Sequence, residues 1–528
     1  MNTKEYIDRP FNARPIVLWA VLAGLTLVAA NFNLWALIVW LVLLSGIATL
    51  IIMKRTGSKT TLICIGGLIV CLIITSSYFI TTSVHSGSQT FRGSGEIRGT
   101  VRSFNINEYG NGNFVLSDAS FQGEPVQGRI RVFVRYLDND SVSNIQSRNI
   151  VSVTNFLRNT DANSFNINNR IRYTARSGNT PVSFVGGARD VRSIVTGRVD
   201  SFLHSHMSKE SATLMFSMLF GDRNNLDEEI REEFALTGIA HVLSASGLHV
   251  GLIVGLLLSV LKALKTDKRI QIVVLILAVG FYAYLCDFRV PIVRSSIMFL
   301  VLAWARLFYI RRLDFLSAIS LAWIVVLILF PYSFFSASFR MTFACMFGIA
   351  LFHRPISRWL DKHMLLLNRS DTPELGVDHN TTNRVRGGTF RRGVIHSIAL
   401  CIATDITLSP FLIYYFGGYP VIGVFANLAI LPILVLAFKA VVTGVITIVG
   451  FPLLILVDPF VRFAISANSW ISGLGLYIPL TMNGAWYLFY FLGLILVSRF
   501  IFLKNNLRWS LASVFFLVYF LVLLIQNI

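Results

Sequence analysis

A polytopic α-helical membrane protein with one small inserted β domain is the fold class this 528-residue sequence predicts. Three observations carry that prediction. The chain is 54% hydrophobic with a mean hydropathy of +0.65, beyond the range of ordinary globular domains. Its apolar stretches repeatedly reach the roughly 20 residues that cross a bilayer core. One long polar stretch, residues 84–195, interrupts them after the third. The formal charge of +19 and the isoelectric point near 10.0 suit cytoplasmic loops, anionic lipid or nucleic acid as neighbours.

Residues 1–83 predict an anchor of about three helices, near 16–31, 33–53 and 61–81. The run from Ile16 to Ala30 has charged residues ahead of it and another apolar run close behind, so it reads as an uncleaved span and not as a secretory signal. Lys54, Arg55 and Lys59 place the second loop, and with it the N-terminus, in the cytoplasm. The third helix then delivers residues 84–195 to the outer face. There, short alternating runs such as Gly99-Thr-Val-Arg-Ser-Phe104, Phe114-Val-Leu116 and Arg129-Ile-Arg-Val-Phe-Val-Arg135 are separated by Gly, Asn and Asp clusters. That is the pattern of a small β-barrel or sandwich.

Between residues 84 and 200 stand 14 Arg, no Lys and 9 Asp plus Glu, a net charge of +5. Arg129, Arg131 and Arg135 share one strand parity while Ile130, Val132 and Val134 take the other. Arg170, Arg172 and Arg176 repeat the arrangement. Rows of this kind, with Tyr136, Phe104 or Tyr173 as stacking platforms, suit single-stranded DNA. A solvated strand face near anionic lipid headgroups is the competing reading.

Residues 196–240 predict amphipathic helices leading to the core. The apolar cluster Met215-Phe-Ser-Met-Leu-Phe220 is broken by Gly221-Asp-Arg. Asp227, Glu228 and Glu229 then favour the start of a helix whose stripe is Ile230, Phe234 and Leu236. The acids read as a capped surface helix rather than a general-acid pair.

Residues 241–528 form the main transmembrane domain. Its head, His241-Val-Leu-Ser-Ala-Ser-Gly-Leu-His-Val-Gly-Leu-Ile253, sets two imidazoles and two hydroxyls in an apolar run, where polar groups are expensive unless they face protein, water or a passing substrate. Gly247, Gly251 and Gly255 make a small-xxx-small stripe for close helix packing. His249 lies roughly 200° around the helix from Gly247 and takes another face. Ser246 joins it there at i−3. Gly247 either continues the helix back towards His241 or breaks it. Other polar residues are few: Arg289 and Arg294 flank Pro291, and Arg340, Asp405 and Asn427 each interrupt an apolar run. His241, Ser244, Ser246, Gly247, His249, Arg294, Arg340, Asp405 and Asn427 are therefore the candidate lining of a transport pathway.

Spans are expected near 241–262, 270–286, 292–309, 314–331, 335–352 and 394–415, two more within 420–457, and helices near 484–500 and 508–526. Segment 460–480, with Ser466, Asn468, Ser472 and Gly473, is expected to be interfacial or re-entrant. The loop 354–392, with Arg384, Arg386, Arg391 and Arg392, reads as cytoplasmic and flexible. The five cysteines lie in or beside apolar runs and offer neither a disulfide framework nor a CxxC pattern. No cofactor is expected.

Residues 241–253 closely resemble the signature of the ComEC competence family, inner-membrane channels that admit single-stranded DNA during natural transformation. The likeness extends upstream through Gly221-Asp-Arg, the acidic helix and Gly238-Ile-Ala-His241. It extends downstream through Pro291-Ile-Val-Arg-Ser295, Ala337-Ser-Phe-Arg-Met-Thr-Phe343 and Gly423-Val-Phe-Ala-Asn427 with Pro432, covering about residues 190–437. Arg340 stands where the family has Gln, so no family role is carried over to that position. The resemblance implies an OB-like outer domain at 84–195, single-stranded DNA as cargo and a DNA receptor on the outer face; the strand pattern makes Arg129, Arg131, Arg135, Arg170 and Arg172 the candidate DNA contacts. It also implies inner-membrane lipid as surroundings and a cytoplasmic ATP-driven motor, since no GxxxxGK[ST] loop is present. Many relatives continue into a metallo-β-lactamase-like domain. His204-Ser-His206 lacks the Asp-His of its metal motif, so neither that domain nor an enzyme activity is expected. Two rival classes stay open. An intramembrane hydrolase would use Ser246 as nucleophile and His249 as base, with only the distant Asp405 to orient the ring. A small-solute transporter would call for an inverted repeat that the sequence lacks.

Overall fold

The computed structural model describes residues 15–32, 34–54, 58–86, 91, 94–106, 111–135, 149–160, 166–167, 170–178, 182–187, 191–222, 226–243, 247–307, 315–367, 381–446, 450–481, 490 and 514. The anchor is three helices, α1 (Pro15–Phe32), α2 (Leu34–Lys54) and α3 (Ser58–Ser86). α1 is apolar all round because its two sides meet different apolar surroundings. Ala23 and Leu27 pack with Ile74, Ile319, Phe339 and Phe343, while Leu18, Val21 and Leu25 face outward. Trp19 lies over Gly66, where no Cβ could fit, and donates its indole N–H to the Ile63 carbonyl at 2.9 Å.

Strands β1 (Ser94–Ile106), β2 (Gly112–Phe121), β3 (Glu124–Pro125), β4 (Arg129–Val134), β5 (Asn149–Phe156), β6 (Arg158–Asn159), β7 (Ile171–Gly178) and β8 (Ser183–Gly187) form one sheet in the order β6-β7-β4-β2-β1-β5-β8, with β3 on β2. β1 pairs antiparallel with both β2 and β5, and β4 runs parallel to β7. Period-two alternation turns Ile97, Phe114, Leu116, Ile130, Val132, Val151 and Tyr173 into one apolar core. Tyr173 is completely buried there and is therefore no stacking platform. Phe104 packs partly buried against the same core, and Tyr136 lies outside the described residues.

The transmembrane domain follows with α4 (Val191–His206), α5 (Lys209–Phe220), α6 (Glu228–Leu236), a 3-10 turn (Ala240–Leu243), α7 (Gly247–Ala263), α8 (Lys268–Leu285), α9 (Val290–Leu307) and α10 (Phe315–Leu329). A second 3-10 turn (Pro331–Phe335) leads to α11 (Ala337–Leu367), α12 (Thr381–Phe416), β9 (Gly418–Pro420), α13 (Gly423–Ile446), α14 (Gly450–Ser472) and β10 (Tyr477–Pro479). Among the described residues five stretches are long and apolar enough to cross a membrane: Ile63–His85, Lys268–Leu285, Gly393–Phe416, Gly423–Val445 and Leu454–Ser472. Five shorter apolar helices accompany them. The chain is a multi-pass membrane protein.

Several expectations need revision. α5 is not amphipathic: every residue from Ser211 to Phe220 is buried, because α5 sits in the middle of the largest apolar cluster. In α6, Ile230 and Phe234 are buried but Leu236 is 41% exposed. Residues 460–472 belong to α14, a helix of spanning length, and are not a separate interfacial piece. The expected loop 354–392 is helical at both ends, as the continuations of α11 and α12. The helices expected at 484–500 and 508–526 fall almost wholly outside the described residues.

Candidate transport pathway and nucleic-acid surface

The signature segment opens in the 3-10 turn Ala240–Leu243 and is α-helical from Gly247 onward. Gly238 takes φ +76° and lies so close to Pro420 that a Cβ would come within 2.7 Å of its ring. A glycine is needed there twice over, for its backbone conformation and for the close approach. The chain then enters the 3-10 turn, in which Val242 and Leu243 are buried and His241 is exposed. Ser244 and Ser246 lie outside the described residues, so the expected Ser246–His249 pairing does too.

α7 wedges between two helices. A Cβ on Gly247 would meet the Ser295 hydroxyl at 3.0 Å, and one on Gly251 would meet Phe299 of α9 at 2.6 Å, whereas Gly255 has nothing within 4 Å. Two glycines of the expected stripe therefore pack against α9 and the third does not. His249 takes the opposite side, as helical periodicity requires. It is fully buried, with its ring centroid 4.7 Å from that of Phe438 in α13.

Arg294, in the second turn of α9, reaches the start of α11. Its Nη2 lies 2.9 Å from the Ser338 carbonyl, the Ser338 hydroxyl and the Thr342 hydroxyl, and its guanidinium stands 5.6 Å from the centre of the Phe339 ring. The side chain is 1% exposed. Among the described residues no carboxylate pairs with it, and Nε and Nη1 have no hydrogen-bond partner. A buried cation with donors left over is costly in any low-dielectric setting. One residue on, Ser295 bonds back to the Pro291 carbonyl at 2.7 Å and touches the Gly247 approach. Thus Gly247, Arg294 and the first turns of α11 are brought together.

Arg340, one turn along α11, donates from Nε to the Phe334 carbonyl at 3.1 Å and from Nη1 to the Tyr415 hydroxyl of α12 at 3.0 Å. On the same helix Asp405 accepts from the Tyr419 hydroxyl. Asn427 sits half-buried in the first turn of α13. Arg289 donates to the Gly221 carbonyl, tying the start of α9 to the left-handed glycine that ends α5.

Of two buried polar residues in α14, Asp458 escaped the sequence reading and Asn468 was read as part of an interfacial segment. Asp458 of α14 accepts from the Ser208 amide at 3.0 Å, the Ser208 hydroxyl at 2.9 Å and Arg462 at 2.7 Å. Asn468, fully buried, accepts from Thr237 at 2.7 Å. Asp458 followed by Arg462 at i+4 was the available signal.

A carboxylate at the junction ties the β domain to the membrane domain. Asp287, in the α8–α9 connection at φ +61°, accepts from Arg102 at 2.8 Å and Arg129 at 3.1 Å, with Arg192 at 3.7 Å. Burial pulls the Arg129 guanidinium below its ordinary value, and Asp287 opposes that pull. Arg129 is thus committed to the junction. Arg131 and Arg135 keep the expected parity, with Phe133 between them on the same face. Phe133 is 37% exposed, and the Arg131 guanidinium lies 5.9 Å from its ring centre. Phe133 pairs in register with Arg176, whose carbonyl accepts from Asn155 at 2.6 Å, beside the exposed Phe156. Basic and aromatic side chains so alternate across one exposed face. Arg170 and Arg172 turn elsewhere, to the lower edge of the domain near α3 and α10.

No solved structure matches the chain. ComE operon protein 3 of Bacillus subtilis (strain 168) is 28% identical over 151 residues, which is 29% of this chain and 19% of that protein. An uncharacterized protein of Aquifex aeolicus (strain VF5) is 31% identical over 137 residues, 26% of this chain and 32% of that protein. The chain therefore matches less than two thirds of the length of either relative. The competence protein family matches residues 218–505, more than half of the 528 residues, and takes in the signature, the Arg294 helix, the start of α11 and Asn427. On that match the chain belongs to the competence protein family.

Proposed function

We propose that the protein is an inner-membrane channel that passes single-stranded DNA into the cytoplasm during natural transformation. The observation that carries this reading is Arg294, a fully buried guanidinium with unused donors and, among the described residues, no carboxylate, placed where α7, α9 and α11 converge. A phosphodiester chain supplies the acceptors that this site lacks. Membership in the competence family points the same way.

In this reading the N-terminus is cytoplasmic and the β domain is extracytoplasmic. The reading takes the domain as OB-like, supported by the pairing of β1 with both β2 and β5 and by the parallel pair of β4 with β7 within the sheet. A strand delivered by a receptor on the outer face meets Arg131, Phe133, Arg135 and Arg176, where bases stack on the aromatic rings and phosphates meet the arginines. It then enters the membrane domain past Arg294 and is drawn inward by a separate ATP-driven motor. His249, enclosed against Phe438, positions α7 in this scheme and is not a catalytic base.

Deletion of the protein tests the proposal. Labelled donor DNA should still bind the cell surface, while its entry into the cytoplasm should stop. Undiminished cytoplasmic entry would refute a conducting role.

A further inference from the structure

A cleft of about 480 Å³ lies where the β domain meets the ends of two helices of the membrane domain. Its membrane-side wall is apolar: Val84 at the end of α3, and Leu329, Phe330 and Pro331 at the end of α10. Its opposite wall is basic: Arg170 and Arg172, with Thr81 and His85 between the two walls. Among the described residues no Asp or Glu lines it. Among the described residues neither arginine has an ion pair, and the Arg172 guanidinium reaches only the neutral Gln127 at 3.3 Å.

The arginines are fixed in place from the backbone outward. Arg170 sits at φ +57°, its amide bonded to the Ile167 carbonyl at 3.1 Å and its carbonyl accepting from the Arg129 amide at 2.8 Å. Gly128, at φ +97°, leaves room for the Arg172 stem, which a Cβ there would meet at 2.8 Å. On the apolar wall, Val84 and Leu329 are 54% and 55% exposed. They continue the apolar surface of α3, a helix long enough to cross the membrane.

We infer that this cleft binds the headgroup of an anionic phospholipid. The polarity is sorted by depth, with acyl-compatible residues on the membrane side and two uncompensated positive charges on the other, which is the order in which a lipid presents its own parts. A nucleic-acid strand fits less well. Of the two benzenoid rings at the cleft, Tyr332 is 5% exposed and stacked on Tyr78 at 4.7 Å, which leaves a base only Phe330, on the apolar wall away from the arginines. Neither Arg131 nor Phe133 lines the cleft, and the site does not depend on the proposed transport.

The full chain, purified in detergent, is offered equimolar phosphatidylglycerol and phosphatidylcholine, and retained lipid is read by native mass spectrometry. Phosphatidylglycerol should be retained in preference, by roughly 30-fold if each arginine contributes as a basic residue at a membrane surface does. Arg170→Gln with Arg172→Gln should bring the ratio near one, and the paired Lys variants should restore most of it. Leu329→Trp, which fills the apolar side and leaves the arginines intact, should lower retention of both lipids. Equal retention by the unaltered chain, or an unchanged ratio in the Gln pair, would overturn the inference. Displacement by glycerol 3-phosphate at matched concentration would show a phosphate site to which the chains add nothing. Arginine-dependent displacement by a dT oligonucleotide would give the site to nucleic acid. Either outcome also refutes a lipid site.

Discussion

Replacing Arg294 with Met separates the two reasons a buried arginine can exist. Met has similar length and no charge. The substitution removes the contacts of Nη2, which has two hydrogens for the three acceptors around it, so at most two charge-assisted bonds are lost. Those are worth about 1.5–3 kcal/mol each. Thr342 already donates to the Ser338 carbonyl at 2.7 Å, so little is left unsatisfied. Against this stand the burial of a whole cation, about 2.5–3.5 kcal/mol on insertion scales, and the unmet donors on Nε and Nη1, each about 1–3 kcal/mol. The two sides cancel to within a few kcal/mol, and comparable swaps are neutral or stabilising. R294M should therefore reach normal abundance in the membrane and melt in detergent no more than about 4 °C below the unaltered chain, while DNA entry falls to the level of the deletion. A large drop in melting temperature would make Arg294 a structural clamp between α9 and α11. Normal entry in a stable R294M protein would remove it from the pathway.

Three further outcomes follow from the geometry. D287N keeps a side chain that tolerates the left-handed backbone but withdraws the charge shared by Arg102, Arg129 and Arg192. Breaking this largely buried cluster should cost about 2–4 kcal/mol, somewhat below a fully buried pair because its members are 14–22% exposed. Hydrogen exchange at the start of β4 and in the α8–α9 connection should speed up roughly 30- to 1,000-fold, and unchanged protection would show that the cluster does not hold the junction. Gly251→Leu should sharply reduce abundance because Phe299 occupies the space, whereas Gly255→Leu should be tolerated; equal behaviour of the two would contradict the packing of α7 on α9. Binding of a dT oligonucleotide to the full chain should weaken by about 5- to 150-fold in F133A and lose about 0.7 of its log–log salt slope in R131Q. Insensitivity to both would leave that face as a solvated strand.

What the sequence could reveal was set by the reach of local periodicity. The period of two sorted Arg129, Arg131 and Arg135 from Ile130, Val132 and Val134 correctly. The same rule puts Phe133 among the arginines and Tyr173 in the core opposite Arg172, so the exposed aromatic was legible although other rings were chosen. Helical periodicity assigned His249 to a face away from Gly247, but that the face meets Phe438 is a contact between distant segments and leaves no local trace. Arg129 likewise gives no sign in the strand that Asp287 will hold it. In α14, Ser466, Asn468 and Ser472 read as an interfacial surface because their partners were invisible. Once Thr237 meets Asn468 and Ser208 meets Asp458, the same polarity belongs to a packed spanning helix. The apolar run of α5 was broken by Gly221-Asp222 as expected, yet full burial of Ser211, Thr213 and Ser217 depended on helix and carbonyl partners, such as Leu243 for Ser217, that only the fold supplies.

The central claim is that a strand passes the convergence of α7, α9 and α11. It is tested most directly by trapping a DNA strand in transit, with photo-crosslinkable bases and a bulky block at its trailing end, and mapping the adducts by mass spectrometry. The account predicts adducts within Val290–Leu307 and the first turns of Ala337–Leu367, together with the Arg131–Arg135 strand, and their loss from the first two in R294M. Adducts confined to the β domain and to residues 354–392 would contradict it.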